Sequence, residues 1–193
     1  MTDPRRSDEG SRPATAAYGT GARLFHWTIA LMVLIQIPAG VAMTSEPLAG
    51  LADPLFILHK GLGSILLVLI FGRVLWRVTH RPPAFPDSMP PLEQRIAHRT
   101  HIAIYVLLVT MVVSGYVRTV GDGFPIELLD ALSIPALVPP MPRLAAVMLV
   151  VHQFAVLGLL GLVAVHIAAV LQHHLIERDA TLSRMWPPWG GRP

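Results

Sequence analysis

The sequence contains no cysteine in 193 residues, and only 14% of its residues are Asp, Glu, Lys or Arg. Without cysteine, disulfides, zinc–thiolate sites, iron–sulfur clusters and thioether-linked cofactors are excluded. Soluble domains carry about 25% charged residues, so the low charge disfavours that class. Hydrophobic residues make up 53% of the chain, which excludes a disordered protein. The composition is that of a membrane protein.

Four apolar segments are long enough to cross a membrane as helices, which needs about 20 residues each. Proline clusters at residues 80–95 and 119–143 end these helices, and we predict loops there. No βαβ pattern or repeat is present. The prediction is an all-α, four-helix transmembrane bundle over residues 23–186, with a mobile tail at 1–22 and a C-terminal tail at 187–193. Its predicted spans are about 24–43, 55–76, 96–117 and 144–171.

The distribution of cations predicts the orientation of the bundle. If both termini are cytoplasmic, twelve of the 15 Lys and Arg residues lie inside and three lie outside. The inner side then has a net charge of +5 and the outer side −2, as the positive-inside rule requires. We therefore predict both termini in the cytoplasm and a retained first span. The basic character reflects topology and anionic membrane lipid, so no nucleic-acid partner is expected.

Four of the nine histidines form two pairs at matched depths, judged from a helical rise of about 1.5 Å per residue. His59 and His152 share the outer level, whereas His26 and His166 share the inner level. His152 and His166 face the same side of the last span, about 21 Å apart along its axis. Two imidazoles at each level suit two stacked haems, because haem iron accepts two axial ligands. Several glycines near these histidines would let a flat ring or another helix approach closely. They are Gly61 and Gly63, which follow His59, Gly115 in the third span, and Gly158 and Gly161 between the two histidines of the last span.

Other ligand sets remain open from the residues alone. His98 or His101 could supply an inner-level ligand, and His173 continues the His166 face one heptad further on. The third-span pair, with His26 or His166, could also bind zinc, although no carboxylate is embedded there. His173 and His174 fit better as surface proton-handling groups or quinone contacts, and His101 is a further candidate for this role.

Six short motifs lie around the histidines and at the C-terminal end of the chain. They are His26-Trp27, His59-Lys60-Gly61-Leu62-Gly63, Ala97-His98-Arg99-Thr100-His101, His152, His166 through His174, and Leu182-Ser183-Arg184-Met185-Trp186-Pro187. In their order and spacing these motifs resemble those of the bacterial cytochrome b561 family over residues 22–186. The resemblance implies two non-covalent b-type haems, with axial ligands at the positions of His26, His59, His152 and His166. It also implies electron exchange with a quinone at a cytoplasmic site near His173.

The resemblance leaves the electron donor open. Some family members oxidise superoxide on the periplasmic side and pass the electron to ubiquinone, but the negative outer loops here would disfavour an anionic donor. The prediction is a multi-pass di-haem b cytochrome of the bacterial inner membrane that links a periplasmic-side donor to a quinone. His173, His174 and His101 are its candidate quinone or proton-binding residues.

Two alternatives belong to other functional classes. The chain could be a haem-bearing membrane anchor for a partner dehydrogenase or hydrogenase, although its modest loops offer little docking surface. It could also be a haem-free transporter or metal permease. The absence of membrane-embedded carboxylates and of internal repeats argues against a transporter.

Overall fold

The computed structural model describes residues 17–86 and 89–186. In this part of the chain, all regular secondary structure is helical. A 3-10 turn over Glu46–Leu51 precedes the second helix, and a π turn over His173–Glu177 follows the last. Four of the helices are long and apolar enough to cross a membrane, which confirms the predicted fold class. The helices are α1 (Thr20–Ala42), α2 (Ala52–Thr79), α3 (Pro91–Gly121), α4 (Glu127–Ala131) and α5 (Pro142–Gln172).

The long helices extend beyond the predicted apolar segments at most of their ends. Thr20–Ala22, assigned to the tail from sequence, belong to α1, and residues 17–19 of that predicted tail precede it without helix. Residues 1–16 and 187–193 lie outside the described residues. Pro91, which was expected to prevent a helix, instead begins α3. Proline suits the first helical position because the N–H that it cannot donate would be unpaired there anyway.

The helices pack side by side in the order α1, α2, α3, α5, and α3 makes its most extensive contacts with α5. A central apolar layer is formed by Ile29, Leu66, Ile70, Leu108 and Leu159. On α5, Leu159 lies midway between His152 and His166, so this layer separates the two histidine levels. Large apolar side chains on the outer faces are exposed, as expected for surfaces that contact lipid, and include Leu34, Val68, Val106, Phe154 and Leu157.

The segment after α5 folds back over one end of the bundle. Arg178 adopts a left-handed conformation with φ 53°, which ends the helical backbone. Trp27 Nε1 then donates a hydrogen bond to the Met185 carbonyl at 3.0 Å, and the Tyr18 amide donates to the Arg184 carbonyl at 3.1 Å. The Arg184 guanidinium, buried in this contact, also donates to the Ala84 carbonyl. The C-terminal segment thus joins the start of α1 to the loop after α2.

Candidate functional site

The outer histidine pair brings α2 and α5 together. The rings of His59 and His152 have centroids 6.3 Å apart, at an interplanar angle of 79°. Two imidazoles that bind opposite sides of one metal ion through bonds of about 2.1 Å have centroids roughly 6 Å apart. The separation therefore suits a single ion between the two rings.

The inner pair repeats this spacing between α1 and α5. The centroids of His26 and His166 are also 6.3 Å apart, at 69°. His101 on α3 lies closer to the same ring, with a centroid separation of 5.4 Å, which is short for two ligands on opposite sides of one ion. His98 is exposed on the helix surface. The structure thus brings together both predicted pairs, with His101 as a third imidazole at the inner level.

The His152 ring is oriented by hydrogen bonds to α3. Its Nδ1 lies 3.0 Å from the Met111 carbonyl and 3.2 Å from Ser114 Oγ. Because a carbonyl can only accept, we assign the hydrogen to Nδ1, which leaves Nε2 unprotonated as a ligand atom. Such a contact to the second ring nitrogen is typical of metal-binding histidines.

Two glycines touch the outer histidines, Gly115, which was predicted, and Gly40, which was not. A Cβ on Gly40 would lie 3.0 Å from His59 Cε1, and one on Gly115 would lie 3.1 Å from His152 Cε1. A Cβ on Gly61 would meet Leu128 Cβ at 3.9 Å, and one on Gly63 would meet Gln36 Nε2 at 3.4 Å. Gly40 and Gly115 therefore make room for the histidine rings, whereas Gly63 lines the cavity between them and Gly61 contacts Leu128.

A cavity of about 530 Å³ contains the outer pair. This volume falls within the roughly 300–1,000 Å³ of known cofactor and ligand pockets. Gln36, 7% exposed, donates from Nε2 to the His59 carbonyl at 2.9 Å. Among the described residues, Gln36 Oε1 and His59 Nδ1 are buried without a hydrogen-bond partner. With apolar walls that include Leu66 and Leu159, the cavity suits a largely apolar ring system with polar substituents.

Two cations line the outer cavity, and each has an acidic partner. The Lys60 side chain is 3% exposed, and its Nζ lies 2.7 Å from Glu127 Oε1 and 2.8 Å from the Pro125 carbonyl. Hydrogen bonding to the Lys60 ammonium lowers the pKa of Glu127. Arg118 Nε lies 3.7 Å from Asp122 Oδ2. This pairing reduces the positive field at the outer cavity.

A second, smaller cavity of about 320 Å³ lies at the opposite end of the bundle, beside the segment after α5. It includes His174, whereas His173 is beside it and is held by two carboxylates. His101 lies apart from them, against the His166 ring. The lining residues of this groove are His174, Arg178, Asp179, Leu182, Ser183 and Trp186.

Some features of the two sites had no signal in the sequence. The roles of the Met111 carbonyl and of Gly40 depend on the rotation and approach of neighbouring helices, which no local pattern encodes. The Lys60–Glu127 pair joins residues 67 positions apart, and Glu127 lies in a segment predicted as a loop. By contrast, heptad spacing and depth predicted the two pairs that lie 6.3 Å apart, although His101 lies closer still to His166.

Several known proteins resemble this chain over most of its length. The sequence model for prokaryotic cytochrome b561 matches residues 17–188. Cytochrome b561 homolog 2 of Escherichia coli (strain K12) is 32% identical over 169 residues, covering 87% of this chain and 90% of that protein. Cytochrome b561 homolog 1 of the same strain is 27% identical over 130 residues, covering 67% and 73%. A Yersinia pestis protein named probable superoxide oxidase CybB is 26% identical over 167 residues, covering 84% and 91%.

Proposed function

This chain belongs to the prokaryotic cytochrome b561 family of membrane haem b electron-transfer proteins, and from that premise we propose that it carries electrons from a periplasmic-side donor to a quinone through two haem b groups. The observation that carries the proposal is the pair of equal ring separations, 6.3 Å at each histidine level. A single haem would leave one of these pairs without a function.

The ligand residues fit haem at both levels. His59 and His152 would hold the outer group, whereas His26 and His166 would hold the inner one. When bound, the haems supply reversible one-electron chemistry. The protein's own contribution is to keep the ligand atoms in place: the Met111 carbonyl holds the tautomer of His152, and Gly115 leaves room for its ring.

The central apolar layer separates the two sites and limits the entry of water between them. Leu159 and Leu66 are nearly fully buried, at 1% and 4% exposure. Because α5 contributes a histidine at both levels, a single rigid helix sets the distance between the sites, about 21 Å along its axis. The distance over which an electron passes between the two sites is therefore fixed by this helix.

We assign quinone reduction, with ubiquinone as the expected acceptor, to the groove beside His174. His173 lies seven residues after His166, which places it on the same helix face about 10 Å further along the axis. Reduction of a quinone to a quinol takes two electrons and two protons, so two one-electron donors are consumed per quinone. His173 and His174 are the groups we assign to pass protons from the aqueous side, with His101 as the imidazole nearest the inner pair.

Superoxide is the donor favoured by the name of one relative, and its oxidation releases one electron and O₂. The pairing of Lys60 and Arg118 with acids weakens the attraction of an anion to the outer cavity. The donor is therefore best decided by direct measurement. Purified protein should be mixed with superoxide or with quinol, and the reduction of haem followed by its absorbance.

The proposal is tested by replacing His59 with alanine. A reduced-minus-oxidised spectrum of the wild-type protein should show a b-type α-band, and iron analysis should give about two haems per chain. His59→Ala should remove one haem and leave the other, because the inner pair keeps both imidazoles. The exposed His98 provides the matched control, since His98→Gln should keep both haems.

Two results would overturn this assignment. A wild-type protein without a b-type α-band would exclude a haem function. If His59→Ala lost both haems or neither, the proposed pairing would be wrong.

A further inference from the structure

A cluster of one imidazole and three carboxylates connects the start of α3 to the end of α5. Glu93 comes from the first turn of α3, whereas His173 and Glu177 come from the π turn after α5. One potential ligand atom from each of these three residues lies within 4.8 Å of the others. Ligand atoms that share a tetrahedral zinc ion through bonds of about 2.0–2.2 Å are roughly 3.3–3.6 Å apart. Side-chain movements of roughly 1 Å would therefore bring the three onto one ion.

Two carboxylates compete for hydrogen bonding to one nitrogen of the His173 ring. His173 Nδ1 lies 2.7 Å from Glu177 Oε2 and 2.8 Å from Asp179 Oδ2. One ring nitrogen carries at most one hydrogen, so it cannot donate a full hydrogen bond to both oxygens. Even with a protonated ring, Glu93, Glu177 and Asp179 leave an excess of negative charge. A divalent cation would remove this repulsion.

Groups outside the cluster hold the carboxylates in this orientation. Gln172 Nε2 donates to Glu177 Oε1 at 2.9 Å, and the Thr181 amide donates to Asp179 Oδ1 at 2.8 Å. Each of these two carboxylates thus keeps its second oxygen on the side of His173. Hydrogen bonds of this kind orient metal ligands in known sites.

From this geometry we propose that Glu93, His173 and Glu177 form a binding site for a divalent transition-metal ion, with Asp179 as an additional carboxylate. One nitrogen and several carboxylate oxygens suit zinc, whereas magnesium and calcium prefer oxygen ligands alone. The ion would join the ends of α3 and α5. This site is separate from both histidine pairs but shares His173 with the proposed proton route. Zinc binding there can be measured without electron transfer, so the two proposals can fail independently.

The site is tested by zinc binding to the full-length protein, purified with its haems and without a histidine tag. We expect saturable binding of one zinc ion per chain, measured by competition with a chromophoric chelator. Glu93→Gln and Glu177→Gln should each weaken this binding at least tenfold, while Glu46→Gln, at the opposite end of the bundle, should not change it. Magnesium should compete poorly with zinc.

Thermal unfolding gives a second readout that does not depend on counting ions. Zinc should raise the Tm of the wild-type protein, because a ligand that binds only the folded state stabilises it, and should not raise that of Glu93→Gln. The haem spectra of the variants serve as the control for folding. Equal zinc affinity in Glu93→Gln and wild type, or no saturable site in the wild type, would overturn the proposal.

Discussion

The close contact between Gly115 and His152 leaves no space for a methyl group at residue 115. A Cβ at residue 115 would lie 3.1 Å from His152 Cε1, closer than ordinary carbon–carbon contact. The ring cannot easily move away, since its Nδ1 is bound to the Met111 carbonyl at 3.0 Å. The observed orientation of the His152 ring therefore requires a residue without a side chain at position 115.

We expect Gly115→Ala to lower the retention of the outer haem, because the added methyl group displaces the His152 ring. Overpacking of this kind costs about 1–3 kcal/mol. Gly61→Ala is the matched control, since its Cβ meets only Leu128 at 3.9 Å. Haem content per chain after purification is the measurement. Equal haem content in the two variants would show that Gly115 does not limit the site.

Residue spacing predicted the histidine pairs but only some of the glycines that contact them. Two histidines 14 residues apart on one helix must share a face, and depth then selects their partners. Gly115 on α3 was predicted and contacts His152. Gly40 on α1, which contacts His59, was not, because the rotation of α1 toward α2 is not encoded locally.

Among the elements, α4 is held to the bundle by one buried ammonium. Lys60 extends from α2 to the Pro125 carbonyl and to Glu127 at the start of α4. The sequence predicted only a loop over residues 119–143, because that segment contains five prolines and α4 is only five residues long. Such a short helix has little stability alone, so its position depends on tertiary contacts.

Replacing Glu127 with Gln should lower the stability of the protein by roughly 0.5–1 kcal/mol, because the carboxylate is partly exposed and screened. Since the folded state lowers the pKa of Glu127, its contribution is present above the unfolded pKa, about 4.3, and is lost as the pH falls through the lower folded pKa. The Tm difference between wild type and Glu127→Gln should therefore shrink progressively as the pH falls below about 4.3. A difference that persists there would assign the effect to packing.

The same variant distinguishes between electron donors. Removing the Glu127 charge frees the positive field of Lys60, so haem reduction by superoxide should become several-fold faster at low ionic strength, and salt should suppress the gain. A neutral quinol should react at an unchanged rate. An unchanged superoxide rate at low salt would place the anion's entry away from Lys60.

At the scale of the whole molecule, the asymmetry of charge predicts how the bundle is oriented in the membrane. Twelve of the 15 cations belong to the side that carries both termini. Alkaline phosphatase fused after Ser133 should therefore be active in the periplasm, whereas a fusion at the C-terminus should be inactive. Fluorescent-protein fusions, which report a cytoplasmic location, should give the reverse pattern. The opposite result would exchange the donor and quinone sides.

Because α5 supplies a histidine to both proposed pairs, the order of synthesis limits the assembly of the cofactor sites. His26 and His59 enter the membrane early, but neither has its partner until the last helix has been inserted. A ribosome-bound chain that has released only α1 to α3 thus lacks both proposed pairs, although it already contains His26 and His101. We therefore expect haem insertion at the proposed pairs to be a late event in biogenesis. The contact of Arg184 with Ala84 can form only after α5 has been synthesised.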